Sequence, residues 1–195
     1  MAKFLIFAGS ARKASTNKQL AALAASTAQA AGADVTLIDL KDFVMPMYDG
    51  DLESDTGLPE NAKRLKQLFV EHDGFFIASP EYNSSFSPVL KNALDWISRP
   101  HTEDEPSLWA YNGKVAAFGS VAPGVLGGLR GLVPLRMMLG NIGVTVVPNQ
   151  VAVSNGFSAF DDAGDLNDVR QTQMLKDTID QLILTTQALA RTLPD

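Results

Sequence analysis

The chain has 195 residues, 46% of them apolar and 19% charged, with a formal charge of −6 and no cysteine. That length suits one domain, spanning residues 1–195, with a sizeable core, and the composition is that of an ordinary soluble globular protein. A negative charge with no stripe of Lys or Arg argues against nucleic acid or anionic membrane as a partner. The lack of cysteine excludes disulfides, thiolate metal sites and cysteine nucleophiles.

The opening run, "MAKFLIFAGSARK", is too short to span a bilayer and lacks the pattern of a signal peptide, so the cytoplasm is the expected compartment. Lys3–Ala8 predicts a buried strand that ends at Gly9. Leu20, Leu23, Ala24 and Thr27 recur at helical spacing, and Gly32 closes that helix. Asp34–Asp39, rich in branched residues, predicts a second strand. Lys41–Pro59 reads as a long polar connection, a kind of segment that is often functional. Glu60–Glu71 follows as a helix with Leu65, Leu68 and Phe69 on one face.

Asp73–Ser79 predicts the third strand, Pro88–Ser98 a helix, and Arg99–Tyr111 another polar loop. Lys114–Ser120 is the fourth strand. A glycine-rich turn then leads to a helix around Val133–Leu139, with Pro134 placed near its start, where proline is tolerated. Val144–Val147 is the fifth strand, continued or flanked by Val151–Val153. Ile179, Leu182, Ile183, Thr186 and Leu189 mark a last helix. Five strands alternating with helices imply a parallel sheet covered on both faces. The order 2-1-3-4-5 is the leading winding, with ligands expected at the carboxyl ends of the strands.

The unusual residues cluster after strands one, three and four, which share one edge of such a sheet. "GSARKASTN", Gly9 to Asn17, offers hydroxyls at Ser10, Ser15 and Thr16, an amide at Asn17 and a guanidinium at Arg12, just before a helix. A helix N-terminus suits a phosphate, and Arg12 adds charge-assisted bonds. The bland alternative is that Ser15 or Thr16 merely caps the helix. Neither nucleotide glycine fingerprint is present, which favours a terminal phosphate monoester over a buried pyrophosphate.

The second stretch, "SPEYNSSFSPVLKNALDW", divides in two. Ser87 and Pro88 start a helix, and Leu90, Leu94 and Ile97 bury its face. Pro80, Glu81, Tyr82 and Asn83 have no such local reason, although Pro and Asn are also ordinary turn residues. The third, "GSVAPGVLGGLRG", has glycines that admit close backbone approach or simply turn tightly. His72, at a helix end, and His101, in a loop, lack metal-site spacing. "DDAGDLND" lacks the full calcium pattern and reads as a solvated loop. No nucleophile elbow is present.

Taken in order, these three motifs resemble the NADPH-dependent FMN reductase family, the flavodoxin-like group that includes quinone, chromate and azo-dye reductases. The resemblance covers nearly the whole chain, and the middle motif is the specific one. It implies a flavodoxin-like three-layer sandwich holding non-covalent FMN, with NADPH or NADH as co-substrate. It assigns Ser10, Arg12, Ser15, Thr16 and Asn17 to the FMN phosphate, and Pro80, Glu81, Tyr82, Asn83 and Ser84 to the flavin ring. Ser120 and the glycines near Gly127 would close the other side. Ala122-Pro123 departs from the Ser-Pro common in the family, so one hydroxyl is missing there.

The resemblance also implies a homodimer or homotetramer with the flavin near a subunit interface, built in part by the Lys41–Pro59 and Arg99–Tyr111 loops. No side chain is expected as an obligatory acid, base or metal ligand, because the flavin carries the chemistry. Backbone N–H groups near Tyr82–Ser84 would face negative charge on the reduced ring. The expected reaction moves electrons from NAD(P)H to a quinone or another small acceptor such as a flavin, chromate or an azo compound. The alternatives are a flavodoxin-type carrier that docks a protein partner, and a binding module of the same fold without flavin.

Overall fold

The computed structural model describes residues 2–190. In chain order its elements are β1 (Lys3–Ala8), α1 (Thr16–Ala30), β2 (Asp34–Asp39), a 3-10 turn (Leu40–Asp42), α2 (Gly50–Thr56), α3 (Glu60–Glu71), β3 (Gly74–Ala78), β4 (Glu81–Tyr82), β5 (Ser85–Phe86), α4 (Pro88–Ser98), β6 (Val115–Val121), α5 (Leu129–Asn141), β7 (Thr145–Val146), β8 (Val151–Val153) and α6 (Val169–Ala190).

The main sheet is parallel, in the order β2-β1-β3-β6-β7, and β8 pairs with β6 as well. This is the expected five-position winding. Its last position is filled by one interrupted strand: β7 pairs with Val115 and Ala116, and β8 with Gly119–Val121. Pro148 lies in the break, where it has no N–H to give to a ladder.

Alternation along the strands builds two cores. Phe4, Ile6, Ala8, Phe76 and Ala117 face α1 and α6, where Leu20, Ala24, Leu175, Ile179 and Leu182 meet them. Leu5, Phe7, Phe75, Ile77 and Phe118 face the other way, onto Leu65 and Phe69 of α3, Leu90 and Leu94 of α4, and Leu132 and Leu135 of α5. Strands buried on both faces read as continuous apolar runs, which is why they are visible in the sequence. Each large side chain so buried contributes about 1.5–3 kcal/mol.

Three expectations are corrected. The Lys41–Pro59 connection is no bare loop: it contains the 3-10 turn and α2, and Met45, Tyr48 and Leu52 pack with Leu58, Ala62 and Trp96 in a third small cluster. α5 starts at Leu129, so Pro134 lies inside the helix, where it gives up one backbone bond. The "EYNSSF" loop is a β-hairpin, with Glu81 opposite Phe86 and Tyr82 opposite Ser85.

Candidate functional site

A cleft of about 500 Å³ opens at the carboxyl edge of the sheet, where the strand order reverses between β1 and β3. Its volume lies in the range of small-molecule sites, and its position is where open α/β sheets bind ligands. The strand ends are tied together at its floor: Gly9 N–H donates to the Ala78 carbonyl at 2.9 Å, and Ser79 N–H to the Gly119 carbonyl at 2.8 Å.

One wall is the loop leading into α1. Ser10, Arg12, Ser15, Thr16 and Asn17 all line it. Ser15 occupies the N-cap position in extended conformation, yet its side chain makes no capping bond. The capping alternative therefore does not account for it. In the first turn of α1, Lys18 N–H donates to the Ser15 carbonyl at 3.0 Å, while the N–H groups of Thr16 and Asn17 lack intrahelical acceptors. The Arg12 guanidinium has no carboxylate partner among the described residues; only its backbone N–H is engaged, donating to Ser10 Oγ at 3.3 Å. Gly9 to Asn17 holds no acid. Hydroxyls, free amides and the unpaired Arg12 guanidinium make a donor set that suits an anion.

Asn17 serves differently from its expected use on a phosphate. It is buried, its Nδ2 donates to the Val121 carbonyl at 3.0 Å, and its Oδ1 accepts from the Val121 N–H at 3.0 Å. Each end of the amide makes one bond that joins the first loop to the end of β6. Its second Nδ2 hydrogen and its backbone N–H, at the helix start, remain for a ligand.

The second wall is Pro80, Glu81 and Tyr82. Ser87 anchors its base: it caps α4 by accepting from Leu90 N–H at 3.2 Å, and donates to the Gly9 carbonyl at 2.5 Å. The hairpin then turns through Asn83 and Ser84, with φ of 52° and 68°. Two left-handed central residues define the tight turn that matches strand twist. For a non-glycine residue such as Ser84 this costs about 1–2 kcal/mol. Asn83 and Ser84 are exposed at the tip and do not line the cleft. The carboxylate of Glu81 points away from the cleft toward α5, so Glu81 borders it chiefly through its backbone.

The third wall is Val121, Ala122 and Pro123. Ser120 and Gly127, expected here, lie elsewhere. Ser120 is fully buried, and its Oγ, which has no hydrogen-bond partner among the described residues, sits beneath Gly128, where a Cβ would come within 1.8 Å of it. Gly127, at φ 58°, packs on the backbone of Ala152 and Val153, with 2.6–2.7 Å available to a Cβ. The backbone of β8 and the positive φ both require glycine there.

A fourth wall was not foreseen. Gly156, Phe157, Phe160, Asp161 and Asp162 complete the cleft. Gly156 N–H donates to the Ala122 carbonyl at 3.1 Å, which brings this segment alongside the third loop. The Asp161 carboxylate folds the following turn by accepting from the N–H groups of Ala163 and Asp165, each at 2.9 Å. Two of the acids first read as a solvated loop thus border the cleft. Nothing in their spacing signals it, because the placement depends on Gly156 packing against β6.

The profile of the NADPH-dependent FMN reductase family matches residues 2–158. The chain belongs to that family. An NADPH:quinone oxidoreductase from Arabidopsis thaliana is 34% identical over 185 residues, covering 92% of this chain and 87% of the relative. A 2-hydroxy-1,4-benzoquinone reductase from a Burkholderia species is 41% identical over 129 residues, 64% of this chain and 63% of the relative's length. Among solved structures, a flavoenzyme NAD(P)H:(acceptor) oxidoreductase from Paracoccus denitrificans superimposes with a TM-score of 0.79 at 26% identity, covering 96% of this chain and 98% of that one.

An FMN reductase needs a place for a phosphate monoester joined to a flat ring. The donor set of the α1 wall meets the first need. The Pro80–Tyr82 wall, with Tyr82 half exposed beside the cleft, offers a flat surface for the second. The residues present fit FMN. His72 and His101 take no part: His72 bridges the Leu68 carbonyl and Thr36 Oγ1 at the end of α3, and His101 pairs with Glu105. No cluster of metal-binding side chains occurs among the described residues.

Proposed function

We propose that this member of the FMN reductase family is an NAD(P)H oxidoreductase that passes electrons through bound FMN to a quinone or a similar small acceptor. Residues 1–195 form one FMN-binding domain in this reading. The observation that carries it is the unspent donor set at the start of α1, above all the N-cap Ser15 that caps nothing and the Arg12 that pairs with no carboxylate. Ser10, Arg12, Ser15 and Thr16 hold the phosphate, helped by the N–H groups of the first turn. Pro80, Glu81 and Tyr82 border the ring, with Glu81 contributing backbone, and Ala122 and Pro123 close the opposite side.

The chemistry such a group supplies when bound is two-electron transfer, a hydride in from the reduced nicotinamide and two electrons out to the acceptor. The chain's own residues orient the ring, shield it from water on three sides and neutralise phosphate charge. None has to donate or accept a proton. The relatives named for quinones and for NADPH support the substrate class.

The protein works in the cytoplasm as a homodimer or homotetramer. No described helix is long and apolar enough to cross a membrane. Leu126, in the turn before α5, and Leu129, Val133 and Met137 on α5 leave an apolar stripe exposed beside the hairpin, which supports burial against a second copy.

The purified protein is expected to be yellow, or to become so on FMN titration, and to oxidise NADPH or NADH when a benzoquinone is supplied. A colourless protein that takes up no FMN would falsify the reading. Flavin binding without bleaching by anaerobic NADPH or NADH would make it a carrier instead.

A further inference from the structure

α5 begins without a cap of its own. Its N-cap position is Gly128, which has no side chain to offer, and its first turn holds no acid. A helix end in that state attracts an anion. The anion comes from the hairpin. Glu81 Oε1 accepts from Arg130 Nε at 3.0 Å and from Nη2 at 2.8 Å, and Oε2 accepts at 3.4 Å from Gly131 N–H, which it shares with the Gly128 carbonyl at 3.1 Å. The Glu81 side chain is only 9% exposed, so the pair is shielded on the carboxylate side.

Backbone meets backbone at the same place. A Cβ on Gly131 would stand 3.0 Å from the Ser85 carbonyl oxygen and 3.2 Å from Glu81 Cα. The hairpin thus rests directly on the first turn of α5. It needs a fastening, because a two-stranded hairpin is marginal alone and this one turns through two left-handed non-glycine residues.

We propose that the Glu81–Arg130 pair is a positioning device for the cleft: it caps α5 from outside and thereby fixes the Pro80–Tyr82 wall at its height over the flavin ring. Glu81 and Arg130 are positioning residues, acting on the ring end of the site and not on the phosphate end. The proposal rests on the reading of the cleft as a flavin site.

The test uses two ligands, FMN and riboflavin, which share the ring and differ in the phosphate. Affinities come from quenching of flavin fluorescence, with the bound visible spectrum recorded alongside. Glu81→Gln keeps an acceptor for Gly131 but loses the charge. It is expected to weaken both ligands by the same factor, about tenfold, and to shift the visible bands of the bound flavin. Arg130→Gln removes the exposed partner of the pair, and a smaller loss of about threefold is expected. The double variant should be no weaker than Glu81→Gln, since the two act as one unit.

Unchanged affinity and spectrum in folded Glu81→Gln overturn the proposal, as does loss of FMN binding with riboflavin binding intact. Where Glu81→Gln fails to fold, unchanged riboflavin affinity in Arg130→Gln overturns it. Uptake of neither flavin by the unaltered protein overturns the cofactor reading itself, a result separable from failure of the pair alone.

Discussion

Arg12 stands on the cleft with no carboxylate partner for its guanidinium, whereas Lys18 pairs with Asp39, Arg99 with Glu53 and Arg130 with Glu81. A cation left free beside unspent hydroxyls costs the fold nothing and gives a dianionic phosphate a charged donor. Hydrogen bonds to charged groups contribute about 1.5–3 kcal/mol. Arg12→Ala should therefore weaken FMN binding by about ten- to a hundredfold and leave riboflavin, which has no phosphate, within about twofold. Fluorescence titration of the two flavins checks this, and equal effects on both would place Arg12 away from the phosphate. Asn17 makes a second case at this scale. Its residue type suits a ligand contact, and its position in the motif was legible, but its two bonds to Val121 were not. They join residues far apart in the chain, and no local pattern records such a pairing. Asn17→Leu should loosen the first loop from β6 and so weaken FMN and riboflavin together, unlike Arg12→Ala. Unequal losses in that titration would assign the Asn17 amide to the phosphate after all.

Elements were legible where burial is two-sided and opaque where partners are distant. β1, α3 and α4 stand where periodicity and capping residues put them, because those signals are local. The hairpin β4–β5 was hidden because its turn uses Asn83-Ser84 in place of a glycine-bearing pair. α2 was hidden because none of its residues is fully buried, so no apolar stripe marks it. The Arg99–Tyr111 loop, read as simply polar, is pinned by a buried ion pair, Lys66 with Glu105, and Lys66 Nζ also donates to the Arg99 carbonyl at 2.5 Å. Burial pushes the Glu105 carboxyl up, but bonds from Lys66 and the His101 N–H outweigh it and hold the group below the ordinary glutamate value of 4.5. A carboxyl depressed in the folded state stabilises above its unfolded value, and that contribution is lost as pH falls from about 4.5 through the lower folded value. Lys66→Met should cost about 3–5 kcal/mol, since it strands a buried charge, and Lys66→Met with Glu105→Leu should recover most of it. Urea unfolding at neutral pH measures both, and Glu105→Leu alone should flatten the acid limb of the stability curve.

At the scale of the molecule, the cleft joins segments from four separate parts of the chain: the start of α1, the hairpin, the end of β6 and the Gly156–Asp162 stretch. Three of these could be foreseen from topology, because parallel strands bring their carboxyl ends to one edge. The fourth follows β8 and reaches the cleft only through contacts with Ala122. A site assembled from such distant pieces exists only in the folded chain, so a ligand that fills it must stabilise the whole fold by mass action. At a free FMN concentration about a hundred times its dissociation constant, the gain is about 2.7 kcal/mol. For a domain of this size that corresponds to a rise in Tm of roughly 5–10 °C. Riboflavin at the same multiple of its own constant should give the same rise, because the linkage depends on occupancy and not on which contacts provide it. Thermal melts of the apoprotein with each flavin test this directly. A rise of less than about 2 °C at saturating FMN would mean that the flavin binds the unfolded chain as well, so that its site does not depend on the folded assembly of the four segments.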